Sequence, residues 1–148
     1  MKYVETKVTF SEVPDEISLC LSISGCEYQC VGCHSPHLQQ DIGNELTLEI
    51  LEELISIHKG ITCICFLGGR EWEVYDLAKK IKEKYNLKIA WYTGNSSLPS
   101  YYKLNVFNYI KLGGYSSYYG GLSSKTTNQR MYKIEDITYK FWKDDNNN

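Results

Sequence analysis

The sequence predicts an α/β domain built on a mainly parallel sheet, and two observations carry this prediction. Short apolar stretches typical of buried strands alternate with amphipathic helical stretches between residues 17 and 112. This is the order of parallel βαβ units, whose right-handed crossovers bring the carboxyl ends of the strands to one side. The strand-like stretches also run into loops rich in cysteine or glycine, where parallel α/β folds place their chemistry.

The first predicted strand covers residues 17–24, ISLCLSIS, in which apolar and small polar residues alternate with a period of two. Four apolar side chains are expected on one side of the sheet: Ile17, Leu19, Leu21 and Ile23. The serines and Cys20 are expected on the other side. This strand leads directly into a cysteine-rich loop.

The next two elements are a helix and a buried strand. The helix is predicted over residues 49–59, with Thr47 as its N-terminal cap and Gly60 as its stop. Residues 61–67, ITCICFL, then form a short run of β-branched and apolar residues, which is typical of a buried strand.

A second helix is predicted over residues 71–85, because its apolar residues follow a helical spacing. The side chains expected to face inward are Trp72, Tyr75, Leu77, Ala78 and Ile81. Residues 87–93 and 106–112 are two further predicted strands, with a short helical segment at 99–103 between them.

The totals limit the class of protein. The chain has 148 residues, the usual size of one domain, and we expect a single domain over 1–148 with a disordered polar tail at 144–148. A net charge of −2 provides neither a basic footprint for nucleic acid nor a polybasic membrane patch. No membrane-spanning stretch or signal peptide is recognised. We therefore expect a cytoplasmic protein whose reduced cysteines serve a metal or catalysis.

Three cysteines stand close together directly after the first predicted strand. Cys26, Cys30 and Cys33 have the spacing C-x3-C-x2-C. A 4Fe–4S cluster normally takes four thiolates, so three would leave one iron with the open position that catalytic metal sites keep. The alternatives are redox thiols or a structural zinc site completed by His34 or His37, although structural zinc sites more often use two separated pairs of ligands. The remaining cysteines lie in predicted strands and are interpreted as core residues: Cys20, Cys63 and Cys65.

This cysteine motif, placed after the first strand of a βα-repeat domain, resembles the radical S-adenosylmethionine (SAM) superfamily. The resemblance implies a partial (βα) barrel in which the three cysteines hold a 4Fe–4S cluster and SAM completes the coordination of the fourth iron. The reduced cluster would then cleave SAM to methionine and a 5′-deoxyadenosyl radical, while the protein positions the cofactor and excludes water.

Further motifs are similar to the glycyl-radical enzyme activases, and most of all to the activating proteins of anaerobic ribonucleoside-triphosphate reductase. GCHSP at 32–36 resembles the GCHNP of these activases, with Ser35 in place of asparagine, and it places Gly32 and His34 beside the cluster. Four more segments follow in the order of that family: FLGG at 66–69, WYTG at 91–94, YIKLGGY at 109–115 and GGLSSKTTNQRMY at 120–132.

The resemblance also implies which residues contact SAM. In addition to Gly32 and His34, these are Gly68, Gly69, Glu71, Thr93, Gly94, Asn128 and Arg130. The family's usual motif is Gly-Gly-acid, whereas here the two glycines are followed by Arg70 and then Glu71. Arg70 has only hydrogen-bond donors, so Glu71 or the glycine backbone would have to accept the hydrogen bond from the SAM amino group.

The function implied by the resemblance is the formation of a glycyl radical on anaerobic ribonucleoside-triphosphate reductase. A flavodoxin- or ferredoxin-type protein would supply the electron. One alternative is a radical SAM enzyme with a small-molecule substrate, although such sequences often have a longer insertion in the cysteine motif. The other alternative is a non-catalytic zinc-binding interaction module.

Overall fold

The computed structural model describes residues 1–25, 40–95, 105–113, 129–135 and 138–141. Within these residues one eight-stranded sheet carries two helices. The strands are β1 (Lys2–Thr9), β2 (Ser18–Ile23), β3 (Asn44–Glu45), β4 (Cys63–Leu67), β5 (Lys88–Tyr92), β6 (Tyr109–Leu112), β7 (Arg130–Glu135) and β8 (Thr138–Phe141). The helices are α1 (Leu48–Ile57) and α2 (Glu71–Lys84).

The sheet is mixed, with a parallel centre and antiparallel flanks. Its strand order is β3-β1-β2-β4-β5-β6-β7-β8. The pairs β2–β4, β4–β5 and β5–β6 are parallel, whereas β1 and β3 on one flank and β7 and β8 on the other pair in antiparallel fashion. The strands of the parallel centre are those predicted from the sequence. Closure of the sheet into a partial barrel stays a prediction.

The two helices cover one side of the central strands, which we call the helix face. Its strand residues are Leu19, Leu21, Ile64, Phe66, Ile89, Trp91, Ile110 and Leu112. Leu51 of α1 and Val74 of α2 are fully buried against them. Trp91 stacks on Phe107 with ring centroids 5.5 Å apart, so the helix face is a wholly apolar core of large side chains.

The other side of the central strands is also buried, and we call it the thiol face. Its strand residues are Ser18, Cys20, Ser22, Cys63, Cys65, Ala90, Tyr92, Tyr109 and Lys111, as the alternation along each strand requires. Val13, in the connection between β1 and β2, is fully buried against this face. The prediction that the three strand cysteines belong to the core is confirmed.

The two longer predicted helices are confirmed with small differences in their bounds. Thr47 caps α1, because its Oγ1 accepts a hydrogen bond from the Ile50 backbone N–H at 3.2 Å. In α2 the prediction that Trp72 faces inward is wrong, since its side chain is 64% exposed. Val74 is buried instead, and Trp72, two residues earlier, lies about 200° around the helix from it.

Four strands of the flanks were not predicted from the sequence: β1, β3, β7 and β8. The predicted short helix at 99–103 and the predicted tail at 144–148 lie outside the described residues. Neither helix within the described part of the chain is long and apolar enough to cross a membrane.

Candidate functional site

The carboxyl ends of the four parallel strands lie along one edge of the sheet, and hydrogen bonds join the loops that leave them. The Gly68 backbone N–H, just after β4, donates to the Tyr92 carbonyl at the end of β5 at 2.9 Å. The Thr93 N–H, just after β5, donates to the Lys111 carbonyl of β6, also at 2.9 Å. These bonds fix the loops relative to one another, so this edge is a candidate functional site.

The cysteine segment leaves the same edge, and its two ends are held together. The Gly25 backbone N–H, after β2, donates to the Gln40 carbonyl at 2.9 Å. The Ser24 hydroxyl donates to the Ile42 carbonyl at 2.5 Å. Residues 26–39 therefore begin and end at this base. The predicted site residues of this segment lie outside the described residues: Cys26, Cys30, Gly32, Cys33 and His34.

Gly68 and Gly69 connect β4 to α2, and the backbone itself requires glycine at both positions. Their φ angles are 101° and 94°, in the region that L side chains rarely adopt. A Cβ on Gly69 would lie 2.8 Å from Val74 Cγ2, and one on Gly68 would lie 3.3 Å from the Ile23 carbonyl oxygen. The two glycines thus bring the main chain close to the end of β2, beside the base of the cysteine segment.

The two residues after these glycines begin α2. Arg70 is the N-cap residue, its side chain is exposed, and it makes no side-chain capping hydrogen bond. Glu71 is the first helical residue and is half-buried. The structure therefore places Glu71 near the candidate site, while the contact with SAM that the resemblance implies stays a prediction.

A cavity of about 500 Å³ lies between the base of the cysteine segment, the start of β1 and the first turn of α2. Its lining residues are Met1, Lys2, Ile23, Ser24, Gly25, Asp41, Glu45, Gly69, Arg70 and Glu73. Glu73 was not singled out from the sequence. Its carboxylate lies 3.0 Å from the Met1 amino group, a contact across the sheet flank that no local sequence pattern reveals.

Thr93 and Gly94 follow β5, where the sequence placed them. Thr93 is buried, and its hydroxyl oxygen accepts a hydrogen bond from the Asn95 backbone N–H at 3.1 Å. The Asn95 carbonyl in turn accepts from the Gly113 N–H at 2.8 Å, which ties the end of β5 to the end of β6. Thr93 therefore closes a turn at the candidate site.

The start of β7 reaches the same edge, since β7 is antiparallel to β6. Arg130 pairs with Leu112, at the carboxyl end of β6. Gln129 is buried, and its Nε2 donates to the Gly113 carbonyl at 3.2 Å. Asn128 lies outside the described residues. The structure thus brings residues 129–130 to the loops after β5 and β6. The contacts of Asn128 and Arg130 with SAM that the resemblance implies stay a prediction.

On the thiol face below these loops, a cation lies next to an aromatic ring. Lys111 Nζ is 5.3 Å from the centroid of the Tyr92 ring, a favourable cation–π distance. The Tyr92 hydroxyl donates to the Glu12 carbonyl, and burial raises the pKa of this hydroxyl well above its usual range. Tyr92 is therefore neutral. Its hydroxyl is hydrogen-bonded to Glu12, and its ring contacts Lys111 near the candidate site.

Two of the described cysteines, Cys63 and Cys65, do not have the properties of metal ligands. Burial raises the pKa of the Cys63 thiol to about 12, and burial together with its contact to Cys20 raises that of Cys65. They are thus neutral thiols, whereas metal ligation requires thiolates. No group of three potential ligands occurs in the described part of the chain. The remaining thiols of the sequence all belong to the segment at 26–39.

Comparison with known proteins adds one finding. A family model described as a 4Fe-4S single cluster domain matches residues 17–107, which is more than half of the 148 residues. The match begins just before β2, includes the cysteine segment and both helices, and ends just before β6. No curated protein and no solved structure matched the chain.

Proposed function

The chain belongs to the 4Fe-4S single cluster domain family, and from this premise we propose that it is a radical SAM activase. Membership of this family establishes a cluster-binding domain. The activase reaction is the more specific part of the proposal. A bound 4Fe–4S cluster would supply the electron for reductive cleavage of SAM, whose 5′-deoxyadenosyl radical would generate a glycyl radical on anaerobic ribonucleoside-triphosphate reductase.

The proposed cluster ligands are Cys26, Cys30 and Cys33. The other three cysteines, Cys20, Cys63 and Cys65, are buried in the thiol face, and burial raises the pKa of Cys63 and Cys65, which disfavours the thiolates that ligation requires. Three thiolates would leave one iron open, and the amino and carboxylate groups of SAM would complete its coordination. The donor set of the segment at 26–39 therefore fits a catalytic cluster better than a closed structural site.

One observation carries the proposal: the cysteine segment and the glycine loops leave the same edge of the parallel centre. Gly25 and Gln40 hold the base of the segment together, and the main chain at Gly68–Gly69 approaches the end of the same strand, β2. A ligand that bridges a cluster and the strand-end loops needs this arrangement. It supports SAM as the second cofactor, in the crevice where α/β sheets bind ligands.

The residues around this edge would then hold and orient SAM. Gly68 and Gly69 would present backbone groups without side-chain obstruction, and Glu71 would accept a hydrogen bond from the amino group. The same role in SAM binding is proposed for Gly32, His34, Thr93, Gly94, Asn128 and Arg130. The partners proposed are the reductase and a flavodoxin- or ferredoxin-type electron donor.

The first experiment is cluster assembly followed by SAM cleavage. The chain is purified without oxygen, reconstituted with iron and sulfide, and mixed with SAM and dithionite. We expect brown cluster absorbance and 5′-deoxyadenosine, and we expect Cys30→Ala to lose both. The matched control is Cys63→Ala, which removes a buried thiol of the thiol face and should keep both signals. An iron-loaded wild-type chain that produces no 5′-deoxyadenosine would exclude the radical SAM reaction.

The second experiment identifies the substrate. The reconstituted chain is incubated with SAM, reductant and the reductase, and electron paramagnetic resonance is recorded. A glycyl-radical doublet on the reductase supports the activase. Production of 5′-deoxyadenosine without the doublet would favour the small-molecule alternative, and a preparation that holds zinc and no iron would favour the zinc-binding module.

A further inference from the structure

Most of the outer edge of β1 has no strand partner among the residues that the structure describes. Within the described residues, β1 pairs with β2 along its length, but β3 pairs with its other edge only at Lys2 and Tyr3. Beyond that point Glu5, Lys7 and Val8 are exposed, and Val8 is 40% exposed. Unpaired backbone groups on a strand edge are a template for pairing with another strand.

The two charged side chains on this edge lie on the same face of the strand. Glu5 and Lys7 lie opposite Ser22 and Cys20 of β2, so they share the thiol face. Thr6 and Val8 lie opposite residues of the helix face. The register is irregular between Tyr3 and Glu5 and regular from Glu5 onward. The regular, uncovered part of β1 therefore carries one acid and one base, two residues apart on the same face.

We propose that this edge pairs in antiparallel fashion with the same edge of a second copy of the chain, centred on Thr6. A two-fold axis perpendicular to the sheet keeps the thiol faces of both copies on the same side of the joined sheet. Each residue of β1 must therefore pair with a residue of the second copy whose side chain lies on the same face. In the register centred on Thr6, Glu5 lies directly opposite Lys7 of the second copy. The symmetry repeats this ion pair, so the interface contains it twice.

The neighbouring registers that keep the faces matched are unfavourable. Centred on Glu5, two carboxylates would lie opposite each other. Centred on Lys7, two ammonium groups would lie opposite each other. Like charges directly opposite each other destabilise a strand pair, whereas opposite charges stabilise it. Charge complementarity thus selects one register and one occupant, a second copy of the chain.

The new contact is short, so the dimer should depend on protein concentration. Backbone pairing would be centred on residues 5–7 of each copy, where the register of β1 with β2 is regular. A small interface of this kind is typical of a weak association. It lies on the flank of the sheet, away from the loops after β4, β5 and β6, and it does not depend on cluster binding. Its failure would therefore leave the proposed function untouched.

The test is a charge reversal and its restoration in the full chain. Sedimentation equilibrium of the wild type over a concentration series should show a monomer–dimer equilibrium. Glu5→Lys and Lys7→Glu should each weaken the dimer at least about tenfold, because each replaces two ion pairs by two like-charge pairs. The double variant Glu5→Lys/Lys7→Glu restores opposite charges across the axis and should return the association to near the wild-type value.

Two outcomes would overturn the proposal: a wild type that stays monomeric over the whole series, or single variants that associate as the wild type does. A second measurement uses the wild type alone and is independent of how the variants fold. A carbodiimide joins a carboxylate to an adjacent amine, so a mixture of isotopically heavy and light copies should produce a mixed peptide linking Glu5 to Lys7. A mixture without that peptide contradicts the proposed register.

Discussion

The helix face and the thiol face line opposite sides of the same four strands, and both are buried. The helix face contains only apolar side chains on its strands, and its helices supply more of them. The thiol face holds cysteines, serines and tyrosines, and a buried carboxylate, Glu16, lies at its edge. Lys88 Nζ lies 3.1 Å from Glu16, and the Tyr109 hydroxyl lies 3.4 Å from it.

This difference separates two physical roles. Apolar packing on the helix face is independent of pH and depends on volume and shape. Polar groups on the thiol face must be paired or kept neutral, so its stability depends on hydrogen bonds and protonation. The thiol face also reaches the candidate site through Tyr92 and Lys111. The helix face therefore stabilises the strands by apolar packing, whereas the stability that the thiol face contributes depends on protonation.

The largest expected loss of stability comes from a substitution in the helix face. Trp91→Ala removes a fully buried indole that stacks on Phe107, and it leaves the Gly68 carbonyl without the Nε1 hydrogen bond of 2.9 Å. We expect a loss of about 3 to 5 kcal/mol in the free energy of unfolding, measured by urea denaturation. The control Trp91→Phe keeps a ring and should lose less. Equal losses in both variants would show that the packing of the indole contributes little.

The helix face was largely predictable from the sequence, because its pattern is local. Alternation in ISLCLSIS and the run ITCICFL identified β2 and β4, and helical spacing identified α2. The predicted inward side of α2 was wrong at Trp72. In the structure the helix turns Val74 inward, next to the loop at Gly69. That contact joins the helix to the end of a strand, so it cannot be predicted from the helix propensity of the residues alone.

The thiol face and the flanks were less predictable. The sequence placed the serines of β2 on the side opposite its apolar residues, but it did not indicate that Ser18 and Ser22 would be buried. On this face Val13, in the connection after β1, belongs to one buried cluster with Cys20 and Cys63, an arrangement that depends on tertiary structure. Likewise β1 becomes a strand through its pairing with β2. For the candidate site, the sequence indicated the strand-end loops, whereas Glu73 enters the cavity through a contact with the distant Met1.

A second, smaller effect compares two glycines with similar backbones. Gly69 and Gly60 both have positive φ, 94° and 88°, but a Cβ would meet Val74 at 2.8 Å only at Gly69 and nothing within 4 Å at Gly60. We expect Gly60→Ala to cost about 1 kcal/mol of unfolding free energy through backbone strain alone. Gly69→Ala should cost about 2 to 3 kcal/mol, because overpacking is added.

The difference between these two variants measures how tightly the helix face packs at the candidate site, with backbone strain common to both. The measurement is urea denaturation of the two variants alongside the wild type. Equal losses would mean that α2 shifts freely at its first turn, and the close approach of Gly69 to the end of β2 would then not be a fixed feature of the site.

The smallest expected effect is a difference between the two faces in how the free energy of unfolding depends on pH. Burial raises the pKa of Cys63 from 9.0 to about 12. A thiol whose folded pKa is raised stabilises the fold fully below pH 9, and this contribution is lost as the pH rises toward 12, because the unfolded thiol ionises first. Cys63→Ala should therefore lose less stability than the wild type between about pH 8 and about pH 10, by about 1 kcal/mol.

The matched control for this pH effect is Ile64→Val, which changes the adjacent, fully buried residue on the helix face. It carries no titratable group, so its stability should fall with pH in parallel with the wild type. Each variant is compared with itself at the two pH values under reducing conditions, so the constant loss from a smaller side chain cancels. If Cys63→Ala and Ile64→Val show the same pH dependence, the thiol of Cys63 ionises as easily in the folded chain as in the unfolded one, and the thiol face is open to water.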